Sequence, residues 1–227
     1  MKNINLVERA AQELLAYIRK EEMVEGDKLP NEYELSKILG VGRNTIREAV
    51  RLLATRNILR IKQGAGTFLT DNPGMVEDPF GFSFIEDQRK LVKDIMHVRL
   101  IIEPAIASLA AQNATEEDIE ELTFLCEEIE RLIGEEKDFA LKDRAFHGKL
   151  ADCTQNLVMK TLIPVIYQGV ETFSSTVSSQ EYSQTIETHR KILQAVKEKR
   201  AVDAQQAMQY HLLYNIRRFQ KEEEGLV

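Results

Sequence analysis

The chain has 227 residues, 43% hydrophobic and 30% charged, with a formal net charge of −7. That length allows two domains of ordinary size, and the composition supplies real cores without a low-complexity tract that would argue for disorder. No apolar run approaches the ~18–20 residues of a membrane span.

The N-terminus, Met-Lys-Asn-Ile-Asn-Leu-Val-Glu-Arg, becomes charged too soon for a signal peptide. Cys126 and Cys153, 27 residues apart, make neither a disulfide framework nor a zinc knuckle. Cys126 falls on an apolar helical stripe and reads as a core thiol. A cytoplasmic protein with no membrane partner is expected. Charge divides the chain. Residues 1–70 hold 12 Lys/Arg against 9 Asp/Glu, a net of +3, whereas 71–227 hold 18 against 28, a net of −10. Within 36–62 the count is 7 basic to 1 acidic. Such asymmetry points to a nucleic-acid-binding segment joined to something else.

Residues 5–21 read as a first helix, with Leu6, Ala10, Leu14 and Ile18 on one stripe and a turn at Glu25-Gly26-Asp27. Asn31, after Pro30, caps a short helix from Glu32 to Leu39 that buries Leu35, Ile38 and Leu39. A Gly40-Val41-Gly42 turn then opens a second helix. Ile46, Ala49, Val50 and Leu53 fall at i, i+3, i+4 and i+7 and form its apolar stripe. Arg43, Arg47 and Arg51 recur every four residues on another face. Two short helices joined by a three-residue glycine turn are a helix-turn-helix signature, and a packed helix carrying three guanidinium groups has the form of a DNA recognition helix. After Asn57 the period shortens to two. Leu59-Arg60-Ile61-Lys62 reads as a half-buried strand, Gly64-Ala65-Gly66 as a flexible tip and Thr67-Phe68-Leu69 as a return strand. A basic hairpin directly after a helix-turn-helix is the wing of a winged-helix domain, and its glycines let the backbone approach a phosphate.

Leu29-Pro30, Leu35-Ser36, Leu39-Gly40-Val41, Arg43, Thr45-Ile46-Arg47-Glu48-Ala49, Leu52 and Gly64-x-Gly66-Thr67-Phe68 together resemble the N-terminal domain of GntR-family bacterial transcription regulators. The resemblance implies a homodimer that places two recognition helices in successive major grooves of a palindromic double-stranded operator. It also implies base or phosphate contacts from Arg43 and Arg47, with Asn44 and Thr45 at the helix N-terminus and Gln63-Gly64 at the wing tip. Arg51 and Gly66 complete the expected DNA-binding set. Two positions depart from the pattern: Tyr33 stands where the FadR-like branch often carries arginine, and Gly42 where Ser or Thr is common.

Residues 71–86, with Pro73, Gly74, Pro79 and Gly81, read as a linker between a winged helix-turn-helix domain at 1–70 and an all-α domain at 87–227. Phe80, Phe82 and Phe84 are too apolar for a free tether and are expected to dock one domain on the other. From Asp87 on, the periodicity predicts helices over about 87–112, 115–134, 136–152, 156–173, 182–199 and 203–221. Thr115 caps the second, and Asp203-x-x-Gln206 resembles a capping box for the last. The expected fold is mainly α: the winged helix, then a bundle of six or seven helices.

Three of the four histidines face inward on different helices. His189 shares a stripe with Tyr182, Ile186, Leu193 and Val196; His211 shares one with Ala204, Ala207, Met208 and Leu212. His147 neighbours Phe146 and Leu150, with Asp143 four residues earlier on the same face. Each could be satisfied separately by a hydrogen bond. Brought together, three imidazoles and a carboxylate could bind a divalent transition metal and leave coordination positions open.

Arg99-x-x-x-Glu103, Ala107-x-x-Ala110-Ala111, Asp143-x-x-Phe146-His147, His189-x-x-Ile192-Leu193 and Ala207-Met208-x-x-His211-Leu212 resemble the FCD ligand-binding domain of the FadR subfamily. That resemblance implies a metal held by Asp143, His147, His189 and His211, zinc first, with nickel or manganese as alternatives. It further implies a small carboxylate metabolite completing the coordination. Arg99 is a candidate partner for that anion, with a surface salt bridge to Glu103 as the plainer reading. Asn156 is a weaker candidate that a helix cap explains equally well. The expectation is a transcription regulator, a repressor by preference, controlled by an organic acid at a metal. The alternatives are a sensor of the metal itself or, with less support, a metal-dependent enzyme; no HExxH or nucleophile elbow accompanies the ligands.

Overall fold

The computed structural model describes residues 5–70, 78–168 and 182–223. The chain divides into two compact units, Met1–Pro79 and Phe80–Val227.

The first unit holds α1 (Leu6–Lys20), α2 (Glu32–Ile38), α3 (Arg43–Thr55), β1 (Leu59–Lys62) and β2 (Gly66–Leu69). The Asn31 side chain accepts from the backbone N–H groups of Tyr33 and Glu34, and Glu34 returns a bond to the Asn31 N–H, a reciprocal capping box that starts α2. Gly40 turns the chain between α2 and α3 at φ +66°, a conformation that a Cβ would strain. At the end of α3, Asn57 takes the left-handed conformation, and Ile58 N–H reaches back to the Leu53 carbonyl. That reversal feeds β1 directly out of α3. β1 and β2 pair antiparallel with Leu59 opposite Leu69 and Lys62 opposite Gly66. The Thr70 hydroxyl donates to the Asn57 carbonyl at 2.6 Å and closes the base of the hairpin.

Ala10, Leu14, Ile18, Leu35, Ile46, Ala49, Val50, Leu53 and Leu59 form one core. Three residues expected on apolar faces lie outside it. Leu6, Ile38 and Ile61 are each about half exposed. α2 is too short to bury a second turn, and the wing carries Ile61 beyond the helices that cover Leu59. Periodicity reports the face of a residue but not whether a layer lies over it.

The second unit begins with a short 3-10 turn at Phe82–Phe84. Only Phe82 of the three phenylalanines packs on this unit's own core; Phe84 and Phe80 are exposed. Six α-helices follow among the described residues: α4 (Gln88–Asn113), α5 (Glu116–Gly134), α6 (Ala140–Cys153), α7 (Leu157–Gln168), α8 (Tyr182–Lys197) and α9 (Ala201–Glu223). The fold is therefore mainly α, a winged helix plus a helical bundle. α4 packs along α9, α8 along α9, and α5 against α6. Thr115 and Asp118 form the capping box of α5, and Cys126 and Cys153 are buried thiols.

Two helix starts differ from expectation. After Gly134 the chain makes a C-terminal turn, with Glu136 at φ +54° and Lys137 N–H on the Leu132 carbonyl, so α6 begins at Ala140 rather than near 136. α9 begins at Ala201, which puts Asp203 inside its first turn, paired with Arg200, instead of at the cap. The end expected for the helix preceding α8, near 173, lies outside the described residues. No described helix is long and apolar enough to cross a membrane.

Candidate metal centre and DNA-binding surface

α3 presents its arginines on the side opposite the core. Arg43, Asn44 and Arg51 are exposed, Thr45 and Arg47 partly so, and Gln63 and Gly64 sit exposed at the wing tip beside the half-buried Gly66. The three guanidinium groups are not equivalent. Arg51 pairs with Glu48 of its own helix at 2.8 Å. Arg43 lies 6.0 Å from the centre of the Tyr33 ring, which also carries the Lys37 ammonium at 4.2 Å. Arg47 is held by Glu32 at the start of α2: its Nε donates to both carboxylate oxygens at 3.1 Å and its Nη2 to one of them at 2.8 Å. Those bonds hold the Glu32 carboxyl below its ordinary range.

The second unit gathers Asp143 and His147 from α6, His189 from α8 and His211 from α9, whose ligand atoms all lie within 4.8 Å of one another. The three imidazole side chains are buried, whereas Asp143 is 19% exposed and marks the open side. Helical spacing explains how α6 contributes two members, because residues at i and i+4 share a face. The rings pack edge to face or tilted, with centroids 4.6 Å apart for His189–His211 and 5.2 Å for His147–His211. The Phe146 ring lies edge-on to His189 at 4.9 Å.

Two of the imidazoles are oriented by a hydrogen bond at Nδ1, and the third lies against a carboxylate without one. His189 Nδ1 lies 2.8 Å from the Thr185 carbonyl, one turn back on α8. His211 Nδ1 meets the Thr188 hydroxyl at 2.9 Å, and His147 Nδ1 is 2.5 Å from Glu103 Oε2. Neither ring nitrogen of His147 has a hydrogen-bond partner. His147 Nε2 and His189 Nε2 are buried with no hydrogen-bond partner, although His189 Nε2 and Asp143 Oδ1 are only 3.0 Å apart. Close donor atoms that are poorly aligned with one another, and buried, fit a shared cation better than mutual hydrogen bonding. His211 Nε2 lies 3.1 Å from the Asn215 amide nitrogen.

The electrostatics agree with that fit. Burial, then the neighbouring imidazoles His189 and His147, push His211 well below its ordinary value and favour the neutral, ligating form. Burial alone would raise Asp143, but His147, His189 and His211 outweigh it and hold the carboxyl far below its usual range. Three imidazoles and a carboxylate are a donor set that suits a divalent transition ion.

Arg99 is not in a surface salt bridge. It is 4% exposed, with Nε donating to Glu103 at 2.6 Å and Nη2 to the Tyr167 hydroxyl. Its Cζ lies 4.2 Å from the centre of that ring. Burial opposes ionisation of Glu103, yet Arg99 and His147 lower its carboxyl to about 2, so the pair is charged throughout the physiological range. Arg99 therefore stands behind the cluster, linked to His147 through Glu103. Asn156 is exposed, and its side-chain oxygen accepts from Val158 and Met159 N–H at the start of α7. It serves as a helix cap rather than as part of the buried cluster.

Sequence reasoning named Glu103 only as a partner of Arg99 and passed over Tyr167, Thr185, Thr188 and Asn215. Thr185 and Asn215 lie one turn from His189 and His211, a spacing that could have marked them. Tyr167 comes from a different helix and left no local signal.

A unit that offers a basic helix and wing to a nucleic acid, joined to a helical unit with a buried polar centre, is built as a DNA-binding transcription regulator. The chain belongs to the GntR family: the model of bacterial regulatory proteins, gntR family, matches residues 6–69, and that of the FCD domain matches residues 94–214. It is 32% identical over 196 residues to the Uxu operon regulator of Haemophilus influenzae, covering 82% of this chain and 71% of that one. It is 30% identical over 208 residues to the HTH-type transcriptional regulator LutR of Bacillus subtilis, covering 86% and 92%. Among solved structures, Streptococcus agalactiae GntR superposes with a TM-score of 0.86 at 42% identity, covering 93% of this chain and 99% of that one. These relatives are transcription regulators, not enzymes.

Proposed function

We propose that this regulator acts as a homodimeric repressor. Its affinity for a palindromic operator would be controlled by a small organic acid bound at a divalent metal on Asp143, His147, His189 and His211. The observation that carries the reading is the buried cluster itself, with four ligand atoms within 4.8 Å of one another and the Nε2 atoms of His147 and His189 left without a hydrogen bond. A metal there would act as a Lewis acid toward a carboxylate. Asp143, the least buried ligand, lies on the side from which the carboxylate enters. Arg99 is close enough to act electrostatically on Asp143 and contributes a fixed positive charge behind the centre.

Arg43, Asn44, Thr45, Arg47 and Arg51 would face the major groove, with Gln63, Gly64 and Gly66 at the wing. In a dimer the two recognition helices reach half-sites one helical turn apart, ~34 Å. A metabolite that binds one arrangement of the dimer 100-fold better than the other shifts the equilibrium by about 2.7 kcal/mol.

The test is a thermal-shift screen of hydroxy acids, sugar acids and dicarboxylates against zinc-loaded and metal-free protein, followed by gel shifts with the hits. A stabilising acid that requires metal and releases DNA is the expected result. Metal that controls DNA binding with no acid present would instead make the metal the signal. Acids that act equally without metal would remove the metal from the reading.

A further inference from the structure

We infer that Glu32 is a specificity-determining residue: it clamps Arg47 so that this arginine reads a guanine rather than gripping a phosphate. The inference rests on the placement of Arg47 in the DNA interface and deepens that reading.

A guanidinium carries five N–H donors in a planar fork. The Glu32 carboxylate occupies the side edge of Arg47, taking Nε–H and one hydrogen of Nη2. The end edge, made of Nη1 and the second Nη2 hydrogen, remains as a pair of parallel donors. Guanine presents a matching pair of acceptors, O6 and N7, in the major groove, and a bidentate arginine is the commonest specific contact to it. A clamped side chain has also lost the rotamer freedom that would let it swing to the nearest phosphate. The carboxylate reinforces the preference, because a neutralised pair gains little from a phosphate.

Three features single out this pair. Glu32 comes from α2 and Arg47 from α3, 15 residues later, so the clamp locks the two halves of the helix-turn-helix at the point where they meet DNA. Two carboxylate oxygens receive three bonds, whereas Arg51 makes one bond to its own helix and Arg43 lies 6.0 Å from a ring centre. The Arg47 side chain is 44% exposed, so it stays open to a partner. Glu32 also lies in the first turn of α2, where its charge suits the helix end, which explains its stable position but not its bidentate aim.

The experiment uses the full-length chain and a pool of duplexes with a randomised central region. Binding sites are selected with the wild type. Affinity for the selected duplex and for an unrelated duplex is then measured over a salt series for wild type, Glu32→Gln, Arg47→Ala, Arg47→Lys and the double variant Glu32→Gln/Arg47→Ala. Glu32→Gln is expected to lower the ratio of specific to non-specific affinity roughly tenfold, the scale of one bidentate base contact. It should also steepen the salt dependence of non-specific binding by about one unit of slope, as a freed arginine turns to phosphate. Pools reselected with Glu32→Gln or Arg47→Lys should lose a guanine that the wild-type pool holds, since lysine offers a point charge and no fork. In the Arg47→Ala background the Glu32 change should leave the ratio unmoved.

A Glu32→Gln ratio and salt slope equal to wild type, with discrimination lost in Arg47→Ala, would overturn the inference and leave Arg47 in the interface. Arg47→Ala binding like wild type would overturn the placement of Arg47 itself. A merely structural role for Glu32 predicts a lowered melting temperature with the selected guanine retained, and that result also overturns the inference.

Discussion

Of the three imidazoles, His211 comes from the helix farthest along the chain and has its Nδ1 fixed by the Thr188 hydroxyl. Replacing it with alanine removes one ligand and leaves that hydroxyl without its imidazole partner. Three ligands remain, and removing a ligand or its orienting partner commonly costs 10–100-fold in metal affinity or more. His211→Ala should therefore abolish stoichiometric metal by elemental analysis after desalting, with the helical circular dichroism retained. Full occupancy in that variant would remove His211 from the centre. The residue scale is also where sequence and structure part company over Arg99. Its spacing to Glu103 was legible as an i, i+4 pair. That the pair is buried and leans on Tyr167 and His147 depends on α6 and α7, which no local pattern encodes.

At the scale of elements, the helix-turn-helix offers a paired test in its own turn. Gly40 sits at φ +66°, whereas Gly42, the N-cap of α3, has φ −63° and no side-chain cap. A Cβ at Gly42 meets nothing nearer than the Thr45 hydroxyl at 3.9 Å. Gly40→Ala should cost about 1–2 kcal/mol, the penalty of the left-handed region for an L residue. Gly42→Ser should gain a few tenths of a kcal/mol by capping an orphan N–H. Denaturant unfolding of both variants checks the signs; equal effects would mean that the turn differs from the one described. Elements of this kind were readable because their signals are local. The box at Asn31 and Glu34, the Thr115 cap, the stripe Ile46–Ala49–Val50–Leu53 and the glycine turn all act within a few residues. Asp203 misled for the same reason: a capping pattern is local, but the Ala204 N–H already bonds the Arg200 carbonyl and starts the helix earlier.

For the whole molecule, the division of charge and the family assignment give a DNA-binding regulator whose basic helix-turn-helix and buried histidine cluster lie in separate units. The proposed metal centre draws on residues far apart in the chain: His147 and His189 are 42 residues apart, and His147 and His211 are 64. An ion bound to all of them acts as a removable cross-link across two long loops. An ion that binds the folded arrangement and not the unfolded chain stabilises the native state by RT ln(1 + c/Kd), where c is the free metal concentration, so the gain grows with the logarithm of metal affinity. Occupied, the ion ties α6, α8 and α9 into one unit that opens together; stripped by a chelator, those helices should exchange their amides through smaller, independent openings. Hydrogen exchange followed by mass spectrometry should show zinc slowing exchange in 140–153, 182–197 and 201–223 while 6–55 is unchanged. Protection that spread equally to the winged helix, or none at all, would contradict this. The cluster would then govern two properties at once, because the ion that receives an anion also sets how cooperatively the bundle around it opens.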